Sequence, residues 1–216
     1  MKEKINKTTV AYNEIEQRIT FQQLKPGAMI SEKVLAEELG LGRTPVREAL
    51  QRLAYERMVY IHSRRGIQIA PLSVENQLKI LEVRRSVEAL CVRFAVMRAD
   101  VEAKQKMLAL ATDLEKCARL GDQRAFADCL KRIHELMPEA ANNDYLQLAM
   151  APLQGLSRRF WFAHLRESVD LPKAARLHSE VLRAISHTDA DAAVNASYAL
   201  NDYLTEFAYA TIGREA

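Results

Sequence analysis

Residues 42–50 read GRTPVREAL. Val46, Ala49 and Leu50, with Leu53 one turn later, recur at three- and four-residue intervals. That spacing is the apolar stripe of a helix packed on one side. Arg43, Thr44, Arg47 and Gln51 fall on another face, because residues four apart stay nearly in line on a helix. A helix that only completes a core needs no row of guanidinium groups. Such a row is most often a solvated face, so its meaning depends on its neighbours in the chain.

Upstream, residues 9–24 place Val10, Ile15, Ile19 and Leu24 near helical spacing, and Pro26–Gly27 break the pattern. Ser31 is an N-cap for a short helix, EKVLAEEL, that Gly40 ends. The helix carrying the arginine row starts within residues 42–45. Thr44 can cap it with Pro45 at the first helical position, or Gly42 can cap it less strongly; it runs to about Glu56. Downstream, Val59 and Ile61 alternate with polar neighbours, as do Ile67 and Ile69. The tip between them, HSRRG, is basic, and the whole reads as a small hairpin ended by Pro71. From Val74 onward strand signals vanish. Six helices are expected, over 74–99, 101–119, 123–137, 144–167, 173–187 and 189–211, with joints at Gly121, Pro138, Asn142–Asn143, Pro172 and His187–Thr188 and a kink at Pro152. The fold class is mainly α. Residues 1–72 form a winged helix-turn-helix of three helices and a hairpin, and 73–216 form an all-α six-helix bundle.

Composition narrows the function. Of 216 residues, 49% are apolar and 27% charged, an ordinary globular balance that supports a sizeable core. No apolar run approaches the roughly 18 residues of a membrane span. The start, MKEKINKTTV, lacks the apolar region of a secretory signal. Three widely spaced cysteines, Cys91, Cys117 and Cys129, make neither a CxxC clip nor a disulfide framework, which fits a reduced cytoplasmic setting. The net charge of +3 is uneven. Residues 1–70 hold 12 Lys/Arg against 8 Asp/Glu, while the remainder holds 19 against 20. The basic third is the one with the arginine row.

A short helix, a turn, a second helix and a ribbon give that row a use. Such a helix fits the DNA major groove with its N-terminal end against the bases, and arginine's planar fork suits guanine or phosphate. Arg64 and Arg65 on the hairpin tip can enter the flanking minor groove, with Gly66 permitting close backbone approach. Lys33 is placed for a phosphate. The stretch KPGAMISEKVLAEELGLGRTPVREALQRLAYERMVYIHSRRGIQIA resembles the DNA-binding domain of the GntR family of bacterial transcription regulators, with RTPVREAL nearly matching the family motif. The resemblance assigns DNA contacts to Lys33, Arg43, Thr44, Arg47 and Gly66. Gly42 stands where the family commonly has serine, which weakens the helix cap.

The helical part resembles the FadR C-terminal type, or FCD, through LEVRRSVEAL, RIHELMPEAANNDYL and LHSEVLRAISHTDADAA. The resemblance implies a small organic acid as effector, held beside a divalent metal such as zinc or nickel. His134 and His178 match two of the family's metal-binding histidines. Leu130 stands at the aspartate position and Leu200 at the last histidine, with Asn201 beside it; Asp128 points to a different face. Two of four ligands are therefore missing. Hydrogen bonding of His134, His178 and Asn201 to the effector is the favoured role, and Arg84 is a candidate carboxylate clamp. Arg84 can instead form a surface ion pair with Glu88 one turn on. Arg158, Arg159 and Trp161 fit either a pocket or a helix interface.

The expected protein is a homodimeric regulator, a repressor relieved by its effector, on a near-palindromic operator. Two rivals are an enzyme in the bundle and a metabolite-binding protein whose winged domain makes protein contacts. The enzyme lacks a recognisable nucleophile–base arrangement, Walker loop or GxGxxG. The binding protein would assemble without DNA and without steep salt dependence.

Overall fold

The computed structural model describes the backbone of residues 6–63 and 65–212; the side chains of 167–169 fall outside the description. Arg64, one of the hairpin-tip candidates, lies outside the described residues. The chain divides into two units. The first comprises the chain up to Ser73 together with Gly155–Ala163; the second comprises Val74–Gln154 and the chain from His164 onward.

In the first unit, α1 (Lys7–Thr20) starts two residues before the expected helix, because the Asn6 side chain accepts from the Thr8 amide at 3.0 Å. It stops at Thr20, short of Leu24, where Gln22 takes a positive φ of 56°. Next come β1 (Met29–Ile30), α2 (Glu32–Leu39) and α3 (Arg43–Tyr55). Ser31 caps α2 as expected, accepting from the Lys33 amide, and Gly40 ends it in the left-handed region at φ 62°. The N-cap of α3 is Gly42, which offers no side-chain hydrogen bond, so Thr44 and Pro45 lie inside the first turn. Pro45 is tolerated there because first-turn amides lack helical partners in any case.

The ribbon is β2 (Val59–His62) paired antiparallel with β3 (Gly66–Ile69), in register Val59↔Ile69 and Ile61↔Ile67. The expected hairpin is part of a larger sheet. β1 adds to its other edge, giving the order β1-β3-β2, with Ile30 opposite Ile67. Two residues have no periodicity to read, so this strand leaves no trace in the sequence. Ile15 and Ile19 of α1, Leu35 of α2, Leu50 and Leu53 of α3 and Ile69 of β3 meet in one core, with Leu156 packed against it.

The second unit contains α4 (Val74–Arg98), α5 (Val101–Leu120), α6 (Gln123–Ala140), the start of α7 (Asp144–His164), α8 (Glu167–Ser186) and α9 (Ala190–Thr211). Side-chain caps set the helix starts: Asp100, Asp122, Asn143 and Asp189 each accept from the amide three residues on, at 2.7–3.1 Å. Helix α4 packs on α9, α5 on α6 and α8, and α8 on α9. Two expected joints do not break the chain. Pro138 lies inside α6 and Pro172 inside α8. Tertiary packing outweighs the lost amide, since Met137, Pro138, Leu171 and Ala174 are all buried. Among the described residues no helix is long and apolar enough to cross a membrane.

Candidate functional site

On α3 the buried stripe is Val46, Ala49, Leu50 and Leu53. The side chains of Arg43 and Arg47 are 67% and 59% exposed, and Thr44 and Gln51 are exposed beside them. The four residues form one outward face at the N-terminal half of the helix. Its arginines are organised by a residue the sequence did not single out. Glu32, in the first turn of α2, accepts from Arg47 Nε at 3.0 Å and from Nη2 at 2.9 Å, and lies 3.7 Å from Arg43 Nε. The hydrogen bonds from Arg47 hold the Glu32 carboxyl below the usual carboxylate range, against a smaller opposing effect of burial. Glu32 precedes Arg47 by 15 residues, a separation that no helical spacing rule connects.

Around this face, Lys33 is exposed and lies 3.8 Å from Glu37. At the hairpin tip Arg65 is exposed and Gly66 has φ 98°. A Cβ on Gly66 would sit 2.9 Å from the Ile30 carbonyl oxygen, so glycine is needed where β3 closes on β1. With no side-chain cap at Gly42, the first amides of α3 keep no side-chain acceptor there, an arrangement suited to a phosphate oxygen.

In the second unit the expected effector residues are all buried. Arg84 does not make the surface pair anticipated as its alternative role. Its pair with Glu88 is buried, with Nε donating at 2.8 Å and Nη2 at 3.2 Å. The His134 and His178 rings stand 5.8 Å apart, centroid to centroid. His178 Nδ1 lies 2.9 Å from the Ala174 carbonyl oxygen, so this nitrogen carries the proton and Nε2 keeps the lone pair. Burial pushes the His178 imidazole down to about 4; the Ala174 hydrogen bond opposes this, the Arg84 charge adds to it and Glu88 opposes it. The ring is therefore neutral near pH 7. Asn201 and Ser197, one turn apart on α9, bury Nδ2 and Oγ without a hydrogen-bond partner among the described residues. Buried polar atoms left this way cost about 1–3 kcal/mol each, and an incoming polar ligand would satisfy them. Ser197 was not anticipated from the sequence, although its spacing to Asn201 is helical.

The donor set does not fit the zinc or nickel ion implied by the resemblance. Such sites take three or four protein ligands, and among the described residues no three His, Cys, Asp or Glu groups are placed to share an ion. Leu130 and Leu200 are buried and apolar, and Asp128 is exposed.

Arg158, Arg159 and Trp161 belong to the first unit, not to the bundle cluster. Arg158 Nη2 donates to Glu16 of α1 at 2.6 Å, with both side chains buried. Arg159 donates to the Ala70 carbonyl oxygen. The Phe162 ring lies 5.3 Å from Phe21, tilted by 54°, and meets Trp161 edge-on at 5.0 Å.

Comparison with known proteins agrees with both halves. Residues 7–69 match the model for bacterial regulatory proteins of the gntR family, and 79–202 match the FCD domain. A Paenarthrobacter nicotinovorans protein described as "Probable D-xylose utilization operon transcriptional repressor" is 26% identical over 217 residues, covering 99% of this chain and 95% of that one. The HTH-type transcriptional regulator YdhC of Bacillus subtilis (strain 168), described as uncharacterized, is 28% identical over 137 residues; the match spans 63% of this chain and 61% of that relative, under two thirds of its length. The solved structure of E. coli McbR/YncC superposes with a TM-score of 0.79 at 19% identity, covering 96% of this chain and 99% of that one, which shows a shared fold. These are families of regulators, not of enzymes. An N-terminal gntR-type winged helix-turn-helix followed by an FCD helical domain places this chain in the GntR family of bacterial transcriptional regulators.

Proposed function

We propose that this protein represses transcription from the cytoplasm by binding a near-palindromic double-stranded operator as a homodimer, and that a small metabolite in the second unit alters that affinity. The observation carrying the reading is the exposed α3 face of Arg43, Thr44, Arg47 and Gln51, with Lys33, Arg65 and Gly66 around it. Two such heads on one twofold read two half-sites. Arg64 joins the contact set on the sequence reading alone, as part of the basic run HSRRG. Glu32 pre-aligns Arg47, and phosphate or guanine competes with it for the fork.

Arg84, His134, His178 and Asn201 form the effector group, with Ser197 added. For an organic acid, the ligand carboxylate takes the place of Glu88 on the Arg84 fork, and the His134 and His178 rings and the Asn201 amide bind its polar remainder. The relative described as a probable repressor of a D-xylose utilization operon supports control of a catabolic operon. Repression is relieved when the ligand binds the low-affinity state better.

The test is operator titration of wild type and Arg47→Ala across a salt series. Arg47→Ala should weaken binding about 5- to 150-fold if it meets a guanine, and wild-type affinity should fall steeply with salt. Near-normal affinity of the variant, or salt-insensitive binding, removes α3 from the reading surface.

A further inference from the structure

A carboxylate sits among the cations of the α3 face. Glu32 accepts from Arg47 Nε at 3.0 Å and Nη2 at 2.9 Å, and Arg43 Nε lies 3.7 Å away, beyond hydrogen-bond reach. Two other acids nearby are engaged elsewhere: Glu48 accepts from the Thr8 hydroxyl at 2.6 Å, and Glu37 lies 3.8 Å from Lys33. The Glu32 side chain is 20% exposed and that of Arg47 59%. An ion pair this open contributes little to stability, and an acid repels the phosphates that the surrounding cations attract. The edge of the guanidinium that it takes is informative. Nε and Nη2 form one side of the planar fork, and both donate to Glu32. The end of the fork, Nη1 with the second hydrogen of Nη2, has no partner among the described residues. That end offers two parallel N–H groups, the pattern that meets O6 and N7 of guanine. A base or phosphate that takes the side edge must displace Glu32; a guanine that meets the end edge need not.

We infer that Glu32 is a specificity-determining residue for DNA: it stays on the side edge of Arg47 while the end edge reads guanine, and its charge discourages the same arginine from gripping a phosphate. The inference rests on the DNA-reading face proposed above and divides the work within it. A free guanidinium binds phosphate readily, by either edge, and phosphate contacts carry no sequence information. With Glu32 in place the side edge is closed, two hydrogen bonds fix the plane of the fork, and a negative charge offsets the positive one. Contact with a phosphate loses most under these conditions, since it depends on net charge. Contact with guanine loses least, since its acceptors are neutral and it depends on the direction of two N–H groups. Penalising the wrong partner in this way gives a binding site discrimination beyond what its favourable contacts supply. Glu32 can hold this place because it lies in the first turn of α2, where the helix dipole favours an anion. The left-handed turn at Gly40 then brings α3 back beside α2, with Arg47 against Glu32.

The experiment compares the full chain as wild type, Glu32→Gln, Glu32→Asp and Arg47→Ala, each checked for folding by far-UV circular dichroism. Affinity for a mixed-sequence duplex is measured across a salt series, and each protein selects sites from a randomised duplex library. The guanine whose preference disappears in Arg47→Ala marks the base that Arg47 reads. Glu32→Gln keeps the shape and removes the charge. It should bind the mixed-sequence duplex about 3- to 10-fold more tightly. Its slope of log K against log salt should be steeper by about 0.9, as Arg47 gains a phosphate, and its preference for that guanine should fall about 5-fold. Glu32→Asp keeps the charge but draws the carboxylate back by one methylene. It should lose guanine preference with a smaller gain in mixed-sequence affinity, and it keeps the test valid if Glu32→Gln does not fold. A folded Glu32→Gln protein with wild-type affinity, slope and guanine preference overturns the assignment. So does one that binds every duplex more weakly, because Glu32 would then only support the helix. Either result leaves the DNA-reading face standing if Arg47→Ala still loses its guanine; an Arg47→Ala protein that selects the wild-type site overturns the assignment by itself. A wild-type protein that binds no duplex and selects no sequence overturns the reading face and the role of Glu32 together.

Discussion

Glu88→Gln changes one charge at nearly constant shape and isolates the buried ion pair of the bundle. Both side chains of the Arg84–Glu88 pair are 2% exposed, and two hydrogen bonds join them. Arginine stays protonated in proteins, so the substitution leaves a guanidinium without its counter-charge. Removing one partner of a buried pair costs about 3–5 kcal/mol. The glutamine oxygen can still accept one of the two bonds, which puts the expected loss near the lower end, about 3 kcal/mol. Set against a typical total of about 5–15 kcal/mol, that is a large share. Urea unfolding should show it as a midpoint lowered by roughly 1–3 M, for a slope of about 1–3 kcal/mol per molar. The shift belongs to the transition that reports the second unit, since two units need not unfold together. The double replacement Arg84→Met/Glu88→Leu removes both charges at similar volume and should recover most of the loss. A Glu88→Gln protein within about 0.5 kcal/mol of wild type, with the double replacement worse than the single, would refute the reasoning.

Gly66→Ala forces a side chain onto a φ of 98° with its Cβ 2.9 Å from the Ile30 carbonyl oxygen; thermal unfolding of the first unit should show a loss of about 1–3 kcal/mol, and an unchanged melting temperature would mean that β1 and β3 separate freely. Burial pushes the folded His178 imidazole down to about 4, from about 6.5 for an exposed histidine, so the folded protein binds fewer protons between those values than the unfolded chain. Its contribution is therefore present above pH 6.5 and lost as the pH falls toward 4, by up to about 3 kcal/mol. Urea midpoints measured from pH 7.5 to 4.5 should fall less steeply for His178→Phe than for wild type, and identical slopes would count against a buried neutral imidazole.

Much of this architecture is legible in the residues, for reasons that differ from place to place. Val46, Ala49, Leu50 and Leu53 announce α3 because burial on one face imposes a period, and the exposure of Arg43 and Arg47 follows from the same period. Ser31 and Gly40 mark the ends of α2 because capping is local chemistry. Pro138 and Pro172 mislead, since the loss of one amide is a local cost that surrounding packing outweighs. Long-range partners are the least legible. Glu32 with Arg47, Glu16 with Arg158 and Ala70 with Arg159 are joined by the fold, not by spacing. In the bundle cluster, His134 and His178 came from a family pattern, and the structure places their rings together. The role of Arg84 turned on whether Glu88 was buried with it, which an i, i+4 spacing does not decide.

The return of Gly155–Ala163 to the first unit bears on how that unit can be dissected. A fragment ending at Ser73 matches the sequence motif but discards two guanidinium anchors and an aromatic plug from its own interior. Glu16 would lose the Arg158 cation that neutralises it, and the Ala70 carbonyl would lose Arg159. Phe21 would lose the ring of Phe162, and the core would lose Leu156. The compact unit that carries the exposed α3 face is thus discontinuous in the gene, and an excised N-terminal fragment needs the 155–163 strap grafted back to keep the interior it has in the whole protein.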